Sequence, residues 1–427
     1  MIRGLMLIGV FLAGQVAPPA GEDSPTTVVR RLVRQLDAPQ LAQREAAEAE
    51  LLGRGPAVLE LLPTATDRLP AEVQQRLGRI RQRLQQAAAN ATAEASTITL
   101  HADAMLLSQI LRAFSEQSGN TIVDCRRRFG QPVTDPKLTI RFDKTPFWPA
   151  LDRLLDEAQL TIYPYAQPGA IGIVAAMGPQ RIARVGHASY SGPFRFEAVQ
   201  IVARRDLRAA GGRSLVLTLE AAWEPRLRVI SLVQRMADVR AVDERGDPLP
   251  VADRDAQPEV PTGGEIPAMK LDISLRPPRG EGRQIARLRG KLLATIPGKI
   301  ETFRFVRFGG GNNVEQRIAG VTVTLEEVRK TNRAWEVRMR ARFDDAGDAL
   351  ASHRQWVFGN EAYLEGPDRK AIAYDTFETT AQGSHEVGVA YRFKTDRPLA
   401  DLTFVYKTPG AIVTRGFEYD LNGIALP

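Results

Sequence analysis

Along residues 98–163 the apolar positions recur every second residue, switch to a spacing of about 3.6, and return to two, and they do so twice. Residues 98–123 read ITLHADAMLLSQILRAFSEQSGNTIV, and 138–163 read LTIRFDKTPFWPALDRLLDEAQLTIY, an echo at 40 residues. Five of the 26 aligned pairs are identical (Thr99/Thr139, Asp103/Asp143, Leu111/Leu151, Thr121/Thr161, Ile122/Ile162), so the apolar pattern carries most of the match. Ile98, Leu100, Leu107, Leu111, Phe114, Ile122 and Val123 stand opposite Leu138, Ile140, Phe147, Leu151, Leu154, Ile162 and Tyr163. Each copy predicts a strand, a helix and a strand. Gly119 closes the first helix where a left-handed residue is wanted, and an apolar strand follows the turn at Pro168-Gly169. The order β-α-β-β-α-β over 97–176 predicts one small sheet with two helices on one face.

Before this module, 24–88 reads as short helices. Ser24-Pro25 supplies a cap and a first-turn proline, and Val29, Leu32, Val33 and Leu36 follow the spacing of one buried face. A second helix runs from 39 to 52, Pro56 opens a third, and Pro70 a fourth with the stripe Val73, Leu77, Ile80, Leu84. REAAEAELLGRGPAVLELLP resembles helical-hairpin repeats of the HEAT type, which implies one or two repeats serving as a cap or docking platform. Residues 85–96 read as a linker or a frayed helix end.

Strict alternation takes over after residue 189. Leu215, Leu217, Leu219, Ala221 and Trp223 alternate with polar or oppositely facing residues, as do Met269, Leu271, Ile273 and Leu275, and Phe303 with Phe305 closes the set. These strands predict a β-sandwich over 189–308, with 251–264 as an exposed loop. The GGGNN run at 309–313 then separates a second sandwich of immunoglobulin-like size over 313–427. Its strands are a hairpin through Val321 and Trp335, strands at 387–393 and 402–406, and a last one through Phe417, Tyr419 and Leu421. The aromatic cluster RQWVFGNEAYL at 354–364 is read as core. The fold class expected is therefore multidomain α+β: a helical segment, a β-α-β-β-α-β module, and two antiparallel sandwich regions.

Composition changes this picture little. A chain of 427 residues exceeds one core, and 44% apolar with 25% charged residues is ordinary for a globular protein. The 57 basic and 50 acidic residues leave +7, which predicts a solvated mixed surface. Residues 1–20 carry Arg3, an apolar run over 5–13, then small residues and prolines, the pattern of a secretory signal peptide. That run is too short to span a bilayer, so membrane association is expected at most through this segment. Cys125 is the single cysteine, so an exported chain must hold together without an internal disulfide.

Candidate chemistry is sparse. His101, His187, His353 and His385 show no zinc-ligand spacing and no CxxC accompanies them. The run Ser384-His385-Glu386 is a sequence neighbourhood whose side chains should alternate between faces of a strand. Asp344-Asp345-Ala346-Gly347-Asp348 misses the calcium-loop pattern and reads as a polar turn. Arg126, Arg127, Arg128 and the basic stretch at 204–208 have no interleaved aromatic residues, so nucleic acid is not expected. Cys125 reads as a packing residue, with a reactive thiol beside the three arginines as the sharper alternative. No catalytic, metal or cofactor-binding residue is assigned.

The two echoed segments resemble the short N-terminal domain of secretins and TonB-dependent receptors. Leu107, Leu111, Phe114 and Gly119 occupy that family's helix-to-turn positions, as do Phe147, Leu151, Leu154 and Leu155 in the second copy, where Gln159 replaces the glycine. The resemblance implies an envelope-side protein-interaction domain without catalysis. The function expected is a non-enzymatic, exported scaffold or adaptor, periplasmic or associated with the cell envelope, binding envelope proteins and no cofactor. The alternative is a glycan- or surface-polymer-binding protein using sandwich aromatics such as Trp223 or Trp356.

Overall fold

The Ser24 hydroxyl accepts the Thr27 amide at 3.3 Å and Pro25 fills the first position, so helix α1 (Pro25–Gln35) starts where its cap requires. The computed structural model describes residues 24–427 apart from 64–68, 177–185, 206–207, 209–211, 263–265, 279–281, 307, 309–312, 332–333, 345–349, 351–355 and 411. The signal peptide expected at 1–20 lies outside the described residues. The chain divides into two units, 1–84 and 85–427.

In the first unit, α2 (Leu41–Gly53) stops before Gly55, whose φ of 76° breaks the helix. Pro56–Leu61 is a short 3-10 helix, and α3 (Ala71–Thr92) follows. Val29, Leu32, Leu36, Leu51, Leu77, Ile80 and Leu84 share one core. Of residues 85–96, read as a linker or a frayed helix end, 85–92 are the end of α3.

The module consists of β1 (Thr97–Leu106), α4 (Leu107–Ser118), β2 (Thr121–Asp124), β3 (Lys137–Pro146), α5 (Phe147–Ala158), β4 (Leu160–Tyr163) and β5 (Ala170–Ala175). The expected order is present, but the single sheet is not. β1 pairs antiparallel with β3 alone, while β2, β5 and β4 form a second, three-stranded sheet. The reason lies in α5, which buries Phe147, Trp148, Ala150, Leu151, Asp152, Leu154 and Leu155. A helix covered on that much of its circumference needs partners on more than one side, and the helices share one core with strands of both sheets.

The echo extends into the backbone. Ala104 and Lys144 have φ of 46° and 43°, and Gly119 and Gln159 both end their helices left-handed. Each positive-φ residue sits in a bulge of one strand opposite a threonine of the other. The Ala104 amide donates to Thr139 Oγ1 and the Lys144 amide to Thr99 Oγ1, both at 3.1 Å. Likewise the Leu107 amide donates to the Pro136 carbonyl at 2.9 Å and that of Phe147 to Ser96 at 2.8 Å. The Thr99/Thr139 and Asp103/Asp143 identities are thus the two sides of a reciprocal bulge.

Two pairs of sheets follow. The first joins a sheet of β6 (Ala188–Ser191), β7 (Phe194–Arg205), β8 (Arg213–Trp223) and β12 (Ala268–Leu275) to one of β9 (Ser231–Gln234), β10 (Arg240–Asp243), β11 (Glu259–Pro261), β13 (Gln284–Pro297) and β23 (Ile412–Ala425), across one core. The second joins β14 (Ile300–Val306), β18 (Ala362–Glu365), β19 (Ala371–Ala373) and β22 (Thr403–Pro409) to β15 (Val314–Ile318), β16 (Val321–Thr331), β17 (Ala334–Phe343), β20 (Thr376–Gln382) and β21 (Glu386–Lys394). The fold is α+β and mostly strand, with sandwich-like sheet pairs.

Two expected strands change place. Phe303 and Phe305 on β14 belong to the second core, and Phe417, Tyr419 and Leu421 on β23 to the first. Period-2 alternation identifies a buried face but not the partner. The exchange has a simple origin. β13 pairs β23 from Gln284↔Ala425 to Pro297↔Ile412, and β14 pairs β22 from Ile300↔Pro409 to Val306↔Thr403 in the same register. Between them the Gly410 amide donates to the Lys299 carbonyl at 2.8 Å. One antiparallel ribbon therefore runs through both sheet pairs, and the second pair is inserted between two partnered strands of the first.

Candidate functional site

Two buried ionic networks join the module to the first sheet pair. Glu224, just after β8, is fully buried. Its carboxylate accepts from the Ser96 amide (2.9 Å) and hydroxyl (2.6 Å), Asn120 Nδ2 (3.0 Å) and Arg226 Nε (2.6 Å). The Arg226 amide donates back to Asn120 Oδ1 at 3.1 Å, and its guanidinium donates to the carbonyls of Thr92 and Glu94. Three donors meet Oε2 and one meets Oε1, an arrangement that suits a structural lock.

The second network is built on α5. Asp152, fully buried, accepts from Tyr190 Oη at 2.7 Å and Arg195 Nε at 2.8 Å, and Arg195 Nη1 reaches Glu197 at 2.8 Å. Trp148 Nε1 donates to the Pro193 carbonyl at 2.9 Å. Burial works against the Arg195 charge, but Asp152 and Glu197 outweigh it and raise its affinity for the proton. Burial, with the Asp152 charge, pushes the Tyr190 phenol far above its usual range. Burial also raises Glu220, which faces Glu197 directly across β7 and β8. Perturbed groups of this kind mark active sites when they line a cleft; here Asp152 and Arg195 are sealed between α5 and a sheet.

The third cluster is exposed. Phe129 and Tyr165 are 46% and 47% accessible. Phe129 and Tyr163 meet edge-to-face at 5.0 Å, and Tyr163 and Tyr165 at 5.9 Å. Arg128 lies 5.9 Å from the Phe129 ring centroid and donates to the Ala166 carbonyl at 3.0 Å, with Arg127 exposed beside it. The loop carrying them is pinned. Buried Arg126 binds Asp124 through Nη2 at 2.6 Å and the Thr134 carbonyl through Nη1 at 2.9 Å, and Gln131 Oε1 accepts the Ala175 amide. Beneath the row, a side chain on Gly172 would collide with the Tyr163 carbonyl, Ala166 and Cys125.

This cluster corrects the sequence reading of Arg126, Arg127 and Arg128. Aromatic rings do accompany them, brought in from the β4–β5 turn; Phe129 alone was visible in the local sequence. Cys125 is buried and its thiol is pushed up chiefly by desolvation, which opposes a reactive thiolate. His101 sits exposed opposite Arg141. Ser384 and His385 do not diverge: they share a bend before β21, with Ser384 Oγ 2.8 Å from His385 Nδ1. No carboxylate completes that exposed pair among the described residues, since Glu386 binds Arg340 at 2.8 Å. Asp344 pairs with Arg317. His353, residues 345–348 and 309–312 lie outside the described residues. Trp223 is in the core, and Trp356 is half-buried and meets Phe343 at 5.6 Å in a T-shaped arrangement. Among the described residues no group of three His, Cys, Asp or Glu side chains is placed to hold a metal, and no helix is long and apolar enough to cross a membrane.

No family model and no curated protein matches the chain. Among solved structures it is similar to a conserved domain protein from Bacillus anthracis, at 6% identity over 56% of this chain and 89% of that one. The TM-score of 0.17 carries no argument about fold or function.

Proposed function

We propose that this chain is a non-enzymatic, exported scaffold of the cell envelope, with the 97–176 module as its protein-binding element. The observation that carries the reading is how the module is held. Its second helix is held by the Asp152 network and its Asn120 by the Glu224 network, so its remaining surfaces face outward on a rigid mount. The reciprocal strand–helix pairing supports reading it as a domain like the short N-terminal domain of secretins, and the helical segment at 24–88 as HEAT-like. The two sheet pairs, taken as immunoglobulin-like sandwiches threaded by one ribbon, serve as a stiff spacer. The apolar run and basic residue at 1–20 support the reading of a periplasmic or envelope location.

The test is crosslinking of the full chain in its native envelope, alongside purified protein assayed on hydrolase and redox substrate panels. A scaffold yields the same few envelope proteins in repeated experiments and no turnover. Clear turnover with no crosslinked partner ends the reading.

A further inference from the structure

We propose that the row of Phe129, Tyr163 and Tyr165, flanked by Arg127 and Arg128, is the docking site for an acidic protein segment carrying an apolar anchor side chain. This rests on the scaffold reading and names its surface and the chemistry of its partner.

Charge complementarity selects an acidic partner. Arg126 is spent on Asp124, whereas Arg127 and Arg128 form no ion pair among the described residues and remain exposed. The site is also pre-organised. Arg128 is tied to the Ala166 carbonyl and held against Phe129, and the Arg126 ion pair fixes the loop. Less side-chain freedom is then lost on binding. Exposed aromatic rings beside arginine are the side chains that most often dominate protein–protein affinity.

Geometry decides against the other anionic partners. The rings meet at 76° and 70°, each turned edge-on to its neighbour. Stacking of successive bases wants open ring faces along a basic groove. A lipid surface calls for a larger apolar face with more cations, because each contributes little through solvent. A carboxylate engaging guanidinium bidentately, with one apolar side chain against the rings, uses what is present.

The probe is a fluorescent octapeptide of alternating glutamate and phenylalanine, titrated into the full chain. Saturable binding is expected, weakened about tenfold by Arg127→Glu and by Phe129→Ser. A lysine–phenylalanine peptide should reverse the order, binding Arg127→Glu better than wild type. Both side chains are exposed, and unchanged thermal melting checks folding; Tyr165→Ser replaces Phe129→Ser should that variant melt early. The proposal is overturned if the acidic peptide fails to saturate wild type, or binds all variants alike. It is also overturned if an oligothymidine or phosphatidylglycerol vesicles bind more tightly and lose affinity in the same variants. Wild-type chain that keeps its crosslinked envelope partner while the peptide fails would sink this site alone; turnover without a partner would sink the scaffold reading.

Discussion

Arg112 and Asp152 hold the same position in the two copies of the module, and their surroundings are opposite. Arg112 is 82% exposed and reaches Glu116 at 3.8 Å, while Asp152 has no solvent contact and anchors Arg195. The same contrast runs along the helices. Ser108 of the first copy donates its amide and hydroxyl to the exposed Asp135 carboxylate, where the second copy places buried Trp148. The backbone symmetry, bulge for bulge, is kept because it builds the common core. The outer faces of the two helices differ: α5 anchors on the sheet through Asp152, while α4 leaves Arg112 to solvent. The two copies thus share what folds the module and differ in what it touches.

The sharpest way to break that comparison is to remove the two equivalent side chains. Asp152→Ala leaves the Arg195 charge buried with Glu197 as its remaining close ion pair and should cost about 3–5 kcal/mol in chemical denaturation. Arg112→Ala, at an exposed pair, should stay within about 0.5 kcal/mol. Replacing the pair together, Asp152→Leu with Arg195→Met, should recover much of the loss, since the uncompensated charge goes with it. If the two alanine variants cost the same, the anchor assignment is wrong.

Next in size are the helix ends. Gly119 and Gln159 share a left-handed backbone, with φ of 71° and 62°. A non-glycine residue there costs about 1–2 kcal/mol, partly offset by the freedom glycine loses on folding. Gln159→Gly should therefore stabilise by about 1 kcal/mol, and Gly119→Gln should destabilise by a similar amount. A Cβ on Gly119 meets nothing within 4 Å, so backbone conformation alone is tested. Thermal melting reads both, and a neutral Gly119→Gln would show that the cap positions are not equivalent.

Why some of this could be read in the sequence and some could not follows from the range of each interaction. The helices and strands of the module stand where the apolar spacing puts them, because periodicity reports which side of an element is buried. The threonine and aspartate identities were visible as matches, but their meaning needed the bulges that bring Thr99 to Lys144 and Thr139 to Ala104. The exchange of β14 and β23 left no local trace, since Phe303 and Tyr419 alternate equally well in either core. The Arg128 patch escaped because Tyr163 and Tyr165 arrive from another hairpin. Ser384 and His385 were misjudged because a bend, not a strand, holds them.

The threonines offer a smaller test of the symmetry. Thr99→Val and Thr139→Val each remove one acceptor for a bulge amide that can turn to water, at about 0.5–1 kcal/mol. Thr139→Val should cost slightly more, because that hydroxyl also lies 3.4 Å from Asp103 Oδ1. A large cost at one threonine and none at the other would mean that only one bulge is set by its hydroxyl.

Acid separates the loop that follows the first copy from the sheet that holds the second by sign. In the first, burial alone would raise the Asp124 carboxyl, but hydrogen bonds from Arg126 and the charges of Arg126 and Arg127 outweigh it and hold it below the ordinary 3.8. A lowered folded value gives stability that is present above about pH 4 and lost as pH falls through the folded value. Beneath the second copy, burial raises Glu220 above the ordinary 4.5, with Arg195 pulling it down and Glu197 pushing it up. A raised folded value gives stability that is full below about pH 4.5 and lost as pH rises through the folded value. Acidification from neutral should first tighten β8 around Glu220, then below about pH 4 loosen the 125–134 loop. Hydrogen exchange by mass spectrometry, corrected for intrinsic rates, resolves both segments. Glu220→Gln should abolish the first change and Asp124→Asn the second. Loss of protection in both segments together would mean that the two share one electrostatic fate despite their different surroundings.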